Sequence, residues 1–149
     1  MSSLIELTAN RPTRTLAAGE VLLAQGDGGG DLFILLSGEL SVVRDGVKLA
    51  TLSQPGTLVG EMSVLLGTKS TATVQAERET KVRVVRDARQ ILESQPELAM
   101  RVGALVAGRL DATSALLVEL SKQHKDGDRN VFARILNALH MPAADRANA

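Results

Sequence analysis

Glycines divide most of this sequence into short apolar runs, and that division limits the folds it can adopt. Between Thr15 and Arg86 the runs are rich in valine, leucine and threonine, with a turn signal roughly every ten residues. The glycines that separate them are Gly19, Gly26, Gly38, Gly46, Gly56, Gly60 and Gly67. This rhythm is typical of an all-β sandwich or barrel.

Two strand pairs are predicted within this region. The first is a hairpin at residues 39–50, where alternating apolar residues flank Asp45 and Gly46, a dipeptide suited to positive φ. The second pairs residues 70–76 with residues 80–85, because apolar and polar residues alternate along both segments. Each of these strands is expected to show one face to the core.

The pattern changes from strand to helix after Arg86. Asp87 is predicted to cap a helix over residues 88–94. Pro96 suits the first turn of a second helix that runs to about Gln123, since proline needs no amide partner there.

A polar break at residues 122–130 follows the long helix. Residues 131–139 are predicted to form a last short helix, and Pro142 begins a frayed tail. The sequence therefore predicts one domain over residues 1–123, followed by a short helix and tail over residues 124–149.

One side of the long helix carries an apolar stripe whose members recur every three or four residues. They are Val102, Val106, Leu110, Thr113, Leu117 and Leu120. Two interpretations are open. The stripe packs on its own barrel, or it forms the seam of a homodimer, since a helix of roughly 40 Å outruns the barrel that it could cover.

Charge and composition exclude several classes of function. Basic and acidic residues both number 17, which leaves no net field to attract nucleic acid or an anionic membrane. The absence of cysteine excludes disulfides and thiol catalysis, and two phenylalanines are too few for a surface that stacks bases. Residues 1–14 lack the features of a secretory signal, so we expect a cytoplasmic protein.

The segment from Gly56 to Ala76, which reads GTLVGEMSVLLGTKSTATVQA, carries the most chemical information. A short helix beginning near Glu61 would present free backbone amides to a phosphate, and Gly60 would let a ligand approach the backbone closely. A carboxylate beside that turn is a good acceptor for a ribose hydroxyl. Together these groups would bind a sugar phosphate.

This segment resembles the phosphate-binding cassette of the cyclic-nucleotide-binding domains, found in catabolite-activator-type regulators, kinase regulatory subunits and gated channels. Further matches to the family's strands and turns occur in its order and at its spacing, over about residues 4–123. They are Gly19-Glu20-Val21, Gly26-Asp27, the run from Leu32 to Leu40, and Pro55-Gly56. The resemblance implies cAMP or cGMP as ligand and no tightly bound cofactor.

The ligand-binding residues that the resemblance implies are Gly60, Glu61, Met62, Ser63, Ser70 and Thr71. Glu61 takes the place of the ribose-binding acid, while Met62 and Ser63 supply amides to the phosphate. Thr71 stands where the family often has a hydroxyl near the base or phosphate.

The sequence departs from the family at the position of the phosphate-binding arginine, where this chain has Ser70. A charge-assisted contact of that kind contributes about 1.5 to 3 kcal/mol, or one to two decades of affinity. Lys69 is adjacent on the strand and is predicted to face the opposite side. Two functions stay open: a sensor that binds a cyclic nucleotide weakly, and a degenerate domain that serves as a dimerisation or protein-interaction scaffold.

Other functions find little support in the residues. His124 and His140 are the only histidines and lie outside the predicted barrel, which disfavours a metal enzyme of the cupin type and a nucleophilic triad. About 26 residues follow Gln123, too few for a DNA-reading helix-turn-helix. The glycines at residues 28–30 lack the lysine of a triphosphate loop, and a flexible hairpin loop is predicted there.

Pattern and resemblance together predict a mainly β fold with flanking helices. It comprises a short N-terminal helix, an eight-stranded jelly-roll β-barrel over about residues 12–86, and C-terminal helices that include the long one. The predicted core residues are Leu16, Val21, Leu23, Phe33, Leu35, Leu40, Val42, Leu49, Leu52, Leu58, Val64, Leu65, Ala72, Val74, Val82 and Val84.

Overall fold

A computed structural model describes residues 2–123 and 126–140 of the chain. The strands within these residues are β1 (Thr13–Leu16), β2 (Val21–Leu23), β3 (Leu32–Ser37), β4 (Leu40–Arg44), β5 (Val47–Leu52), β6 (Leu58–Val59), β7 (Thr73–Ala76) and β8 (Thr80–Val85). The helices are α1 (Leu4–Leu7), α2 (Glu61–Leu66), α3 (Ala88–Ser94), α4 (Pro96–Gln123) and α5 (Asp126–His140). The chain divides into two compact units, Met1–Val102 and Gly103–Ala149.

The strands form two four-stranded antiparallel sheets. Sheet A has the order β1-β8-β3-β6, and sheet B has the order β2-β7-β4-β5. The predicted mainly β, jelly-roll-like fold with a long C-terminal helix is therefore confirmed. The two sheets are not joined into a closed barrel.

Two segments predicted as hairpins instead connect a strand of one sheet to a strand of the other. The strand pair predicted for residues 70–76 and 80–85 is wrong, because β7 pairs with β2 and β4 while β8 pairs with β1 and β3. The corner between them is held to Glu39, whose carbonyl accepts from the Glu77 amide at 2.9 Å and whose amide donates to Thr80 Oγ1 at 3.0 Å. The loop at residues 28–30 likewise joins β2 of sheet B to β3 of sheet A, so it is not a hairpin loop.

The hairpin predicted at residues 39–50 is present as β4 and β5. Asp45 and Gly46 form its turn with φ of 51° and 76°, the left-handed region that their short side chains tolerate. The register shifts between Val42, which lies opposite Ala50, and Val43, which lies opposite Lys48. Leu49 falls at this bulge, has no paired residue on β4 in the register and does not face the core.

The core between the sheets contains most of the residues that the pattern predicted. The buried members of this cluster are Leu16, Leu22, Phe33, Leu35, Leu40, Val59, Val74, Ala76, Val82 and Val84, with Leu23, Val42 and Leu52 packed against them. Leu58 and Val64 are also buried, while Ala72 is half-buried.

Three predicted core residues are wrong. Val21 is 44% exposed, Leu49 is 57% exposed and Leu65 is 45% exposed. In β2 it is Leu22 that is buried, and a strand turns alternate side chains to opposite faces, so Val21 points to solvent. In α2 the buried residues are Glu61, Ser63 and Val64, which places Leu65 on the outer side of the short helix.

Sheet A is also buried on its second face, which the alternation did not predict. Leu32, Ile34 and Val85 are at most 1% exposed, although they alternate with the residues of the inner cluster. Helix α1 contacts β3. Arg83, on the same outer face, donates through Nη1 to the carbonyls of Thr8 at 3.2 Å and Ala9 at 2.7 Å. The N-terminal segment thus covers this face.

The predicted bounds of α3 and α4 agree with the structure, but the predicted cap does not. Asp87 precedes α3 in the left-handed conformation, and its side chain makes no capping hydrogen bond. Instead the Asp87 amide donates to Asp31 Oδ1 at 3.1 Å, and the Ala88 amide donates to the Gly30 carbonyl at 2.8 Å. The loop before β3 therefore supplies the cap.

The last helix is longer than predicted. It begins at Asp126, inside the predicted polar break, and ends at His140. The predicted tail from Pro142 lies outside the described residues, as does His124. The domain boundary predicted between residues 123 and 124 stays a prediction.

The second unit contrasts with the first in burial. From Gly103 onward no described side chain is buried, and Leu110, Leu116, Val118, Val131 and Ile135 are each at least 39% exposed. None of the helices that the structure describes combines the length and apolar character needed to cross a bilayer.

Candidate functional site

The candidate site begins where β6 ends and the chain turns into α2. Gly60 makes this turn with φ of 87°, a conformation that residues with a Cβ rarely adopt. A Cβ at this position would also lie 2.7 Å from the backbone oxygen of Asp31 and 3.7 Å from a ring carbon of Phe33. Both the conformation and the close approach of Asp31 require glycine, whereas the approach of a ligand to Gly60 stays a prediction.

Helix α2 presents a buried acid at its first position. Glu61 is 9% exposed, and its residue type is seldom buried to this degree. Ser63 is 5% exposed, and its hydroxyl donates to the Gly60 carbonyl at 3.1 Å. Met62, between them, is 42% exposed. Met62 is the second residue of α2, and the first amides of a helix have no intrahelical partner.

Ser70 is held in place by its backbone rather than by its side chain. Its amide donates to the Asp27 carbonyl and its carbonyl accepts from the Gly26 amide, both at 2.9 Å. The side chain is 6% exposed, and its buried Oγ has no hydrogen-bond partner among the residues that the structure describes. Thr71 is half-buried, and β7 begins only at Thr73. Ser70 therefore contributes a covered hydroxyl and no charge.

Only two charged residues lie between Gly60 and Thr71. Glu61 is buried, and Lys69 is exposed. Because Ser70 precedes the strand, the alternation of β7 does not set the direction of Lys69. The site combines the buried carboxylate of Glu61 with the backbone amides of a short helix. The carboxylate could accept a hydrogen bond from a ligand hydroxyl, and the amides could bind a neighbouring anionic group weakly.

The loop before β3 is a part of the site that the sequence analysis missed. A Cβ on Gly29 would lie 2.4 Å from Ser63 Oγ, 2.6 Å from Ser63 Cβ and 3.1 Å from the Thr68 carbonyl oxygen. Gly29 thus packs directly on the cassette, and any larger residue would displace it. A glycine whose neighbours are also glycines gives no signal of such a contact.

The described side chains include no group of three or more histidine, cysteine, aspartate or glutamate residues arranged to hold a metal ion. The loop before β3 packs on the turn into α2. Two four-stranded antiparallel sheets with a short helix between β6 and β7 define a class of protein, a jelly-roll domain.

The comparison with protein families agrees with this class. The family described as the cyclic nucleotide-binding domain matches residues 13–95, more than half of the chain. The chain belongs to that family. The match covers every strand and the whole of the candidate site.

Solved structures show the same fold. The catabolite activator protein of Thermus thermophilus is 29% identical with a TM-score of 0.65, and the match covers 78% of this chain and 58% of that one. The N-terminal domain of a transcriptional regulator from Streptomyces coelicolor is 34% identical with a TM-score of 0.55, over 72% of this chain and 81% of that one.

A curated relative matches over a shorter segment. The cGMP-dependent protein kinase egl-4 of Caenorhabditis briggsae is 39% identical over 59 residues, which are 40% of this chain and 8% of the kinase. The chain therefore spans less than a tenth of the kinase. Family and fold are those of regulatory domains that bind cyclic nucleotides.

Proposed function

We propose that this protein is a non-enzymatic, cytoplasmic regulatory module that senses cAMP or cGMP and binds it weakly. The observation that supports it most strongly is the buried carboxylate of Glu61 at the first position of α2, directly after the left-handed Gly60. A buried acid beside free helix amides matches a ligand that has hydroxyls next to a phosphate.

Each site residue has a role in this proposal. Glu61 accepts hydrogen bonds from the ribose, and the amides of Met62 and Ser63 donate to the cyclic phosphate. Thr71 offers a hydroxyl near the base or phosphate. Ser70 supplies no countercharge, so we expect a dissociation constant between roughly ten micromolar and one millimolar.

Calorimetry with cAMP and cGMP on the whole chain tests the sensor. Glu61→Ala should abolish saturable binding, because it removes the ribose acceptor. Glu79→Ala is the matched control, since Glu79 is an exposed acid on the turn between β7 and β8. It should leave the affinity unchanged.

Restoring the charge gives a second arm. Ser70→Arg should tighten binding about ten- to a hundredfold, the value of a charge-assisted contact. Because Ser70 is buried, the thermal unfolding of this variant is measured first to show that it folds. Binding that is unaffected by both Glu61→Ala and Ser70→Arg would refute the proposed site.

The buried, unpartnered hydroxyl of Ser70 favours a second candidate, a degenerate domain that acts as a scaffold. A pocket kept for a ligand would turn this group toward it, whereas Oγ is covered by protein. No detectable heat with either nucleotide in the wild type, and none in a folded Ser70→Arg variant, would select the scaffold.

Both candidates include a homodimer through the stripe on α4. Of that stripe only Val102 is buried, while Leu110 is 42% exposed and Thr113 is exposed. Apolar side chains repeated along one helix face are buried when a second helix covers them. Effector proteins would then dock on the assembled pair.

Light scattering at micromolar concentration tests the dimer. Leu110→Glu and Leu117→Glu should convert a dimeric mass to a monomeric one, because each places a charge in the seam. Ala112→Glu is the control, since Ala112 lies on the opposite side of the helix from Leu110 at 100° per residue. A monomeric wild type would refute the seam.

A further inference from the structure

A cavity of about 240 Å³ lies at the end of sheet A, apart from the cassette. Its walls include Thr13, Arg14, Asp31, Phe33, Val84 and Arg86. These residues come from three neighbouring strands, β1, β8 and β3, or from positions directly beside them. The cavity therefore lies where the ends of these strands pass into loops.

The sheet register places the cavity on the inner face of sheet A. Phe33 lies opposite Val84, and both belong to the core between the sheets. Arg14 lies opposite Val82, which is also a core residue. Asp31 and Arg86 lie just beyond the ends of β3 and β8 and line the same cavity. Arg14 occupies a core-facing position at the point where the core ends and the cavity begins.

The charged side chains around the cavity differ in whether they have a hydrogen-bond or ion-pair partner. Arg14 Nη2 lies 2.8 Å from Glu20 Oε2, and this ion pair lowers the pKa of Glu20. Asp31 Oδ1 accepts the Asp87 amide at 3.1 Å. Arg86 makes no hydrogen bond or ion pair within the part of the chain that the structure describes. One guanidinium is thus free to bind a ligand.

The cavity is separate from the candidate nucleotide site but shares a wall with it. The ring of Phe33 lines the cavity, and a ring carbon of Phe33 lies 3.7 Å from where a Cβ of Gly60 would stand. Phe33 and Asp31 thus divide the two sites. Phe33 and Val84 also give the cavity an apolar floor beneath its charged rim.

We propose that this cavity binds a small organic anion, a carboxylate or phosphate group joined to an apolar body. A guanidinium binds either head group through two parallel hydrogen bonds, and the apolar body would cover Phe33 and Val84. At about 30 Å³ per water molecule, the volume holds about eight waters, so the ligand has on the order of ten non-hydrogen atoms. This proposal does not depend on whether the protein senses a nucleotide.

Amide chemical-shift titrations of the whole ¹⁵N-labelled protein test the site. The probes are phenyl phosphate, benzoate and uncharged benzyl alcohol. Phenyl phosphate or benzoate should saturate shifts at Val84, Arg86 and Asp31, with a dissociation constant of roughly 0.1 to 10 mM. Benzyl alcohol should bind at least about tenfold more weakly. The tighter of the two anions identifies the head group.

Four variants sharpen the test, with expected effects that differ in direction. Arg86→Gln should weaken anion binding about tenfold, and Arg86→Lys should restore part of it. Arg44→Gln, an exposed arginine at the end of β4 in the other sheet, should change nothing. Glu20→Gln should strengthen binding about two- to threefold, because it frees Arg14 for the ligand.

Equal affinity for benzyl alcohol and the anions would overturn the proposal. So would unchanged binding in a folded Arg86→Gln variant, or shifts confined to residues 60–71, which would place the anion in the cassette. No saturable shift up to about 100 mM of either anion, ten times the weakest expected dissociation constant, would also refute it.

Discussion

The two units of this chain bury their apolar residues very differently. In Met1–Val102 the two sheets enclose a core in which Leu16, Leu35, Leu40 and Val82 have no measurable exposure. The N-terminal segment covers the outer face of sheet A as well. In Gly103–Ala149 the apolar residues that the structure describes lie on α4 and α5, and none is buried.

This difference shows which part of the molecule is complete by itself. Sheets bury a face by folding back on each other, whereas a helix needs a neighbour along its whole apolar side. The first unit covers the inner faces of its sheets, although Val21, Val47 and Leu49 stay exposed. The second leaves its stripe to be covered, which is why the proposed dimer involves α4 rather than the sheets.

The same truncation in the two units should give the largest contrast. Leu35→Ala should lower the free energy of unfolding by about 3 kcal/mol, because it leaves a cavity in a fully packed core. Leu116→Ala, at a side chain that is 56% exposed and lies outside the stripe, should change it by less than about 0.5 kcal/mol. Urea denaturation followed by circular dichroism measures both, and equal losses would break the contrast.

A glycine-to-alanine change should have opposite signs in the two units. Gly29→Ala should destabilise by about 1 to 3 kcal/mol, because the new Cβ would lie 2.4 Å from Ser63 Oγ. Gly108→Ala should stabilise by about 0.5 to 1 kcal/mol, since no atom lies within 4 Å and alanine favours a helix.

Gly28→Ala is the matched control within the loop, because a Cβ there also meets nothing within 4 Å. Thermal unfolding of the three variants is sufficient to rank them. A neutral Gly29→Ala would mean that the loop does not pack on Ser63.

The first unit has a polar defect that tests how complete its packing is. Ser70→Ala should raise the free energy of unfolding by about 1 kcal/mol, because it removes a buried hydroxyl that has no partner. Ser41→Ala is the control. Ser41 is equally buried, but its hydroxyl donates to the Gln75 carbonyl at 3.4 Å, so its loss should not stabilise. Urea midpoints decide, and a destabilised Ser70→Ala would indicate a partner for Oγ.

The smallest effect should come from an exposed ion pair in the first unit. The hydrogen bond from Arg14, followed by that from the Ala17 amide, lowers the pKa of Glu20 below 4.5. A folded pKa below the unfolded one stabilises the protein above the unfolded pKa, and this contribution is lost as the pH falls through the folded value. Urea midpoints at about pH 7 and about pH 3 should therefore differ less in Glu20→Gln than in the wild type. An identical pH dependence in the two proteins would contradict the shift.

The sequence predicted the strands and helices better than it predicted their pairing. The hairpin at Asp45 and Gly46 and the start of α4 at Pro96 depend on local conformation, which the residue types determine. The crossing between β7 and β8 depends instead on the hydrogen bonds of Glu39, nearly forty residues earlier in the chain, and alternation within two strands does not reveal it. Leu22 was missed in favour of Val21 for a related reason, since a run of apolar residues does not set the register.

The candidate site was predictable only along one segment. Gly60 and Glu61 were identified by a local motif, and the structure places them together. The contact of Gly29 with Ser63 and the hydrogen bonds of Ser70 with Gly26 and Asp27 join segments about forty residues apart. No local sequence pattern therefore indicated them. Arg14, Asp31 and Arg86 are ordinary charged residues in the sequence, and only the sheet register brings them to one cavity.

The two backbone hydrogen bonds that Ser70 makes with Gly26 and Asp27 also determine where the protein tolerates an insertion. Three consecutive glycines would ordinarily mark a place where a protease cuts or a tag is inserted. Here Gly26 and Asp27 are bonded to Ser70, Gly29 is packed on Ser63, and Gly30 is bonded to Ala88. A fluorescent reporter is better attached at Gly46, because this hairpin turn is exposed and a Cβ added there would meet no atom within 4 Å.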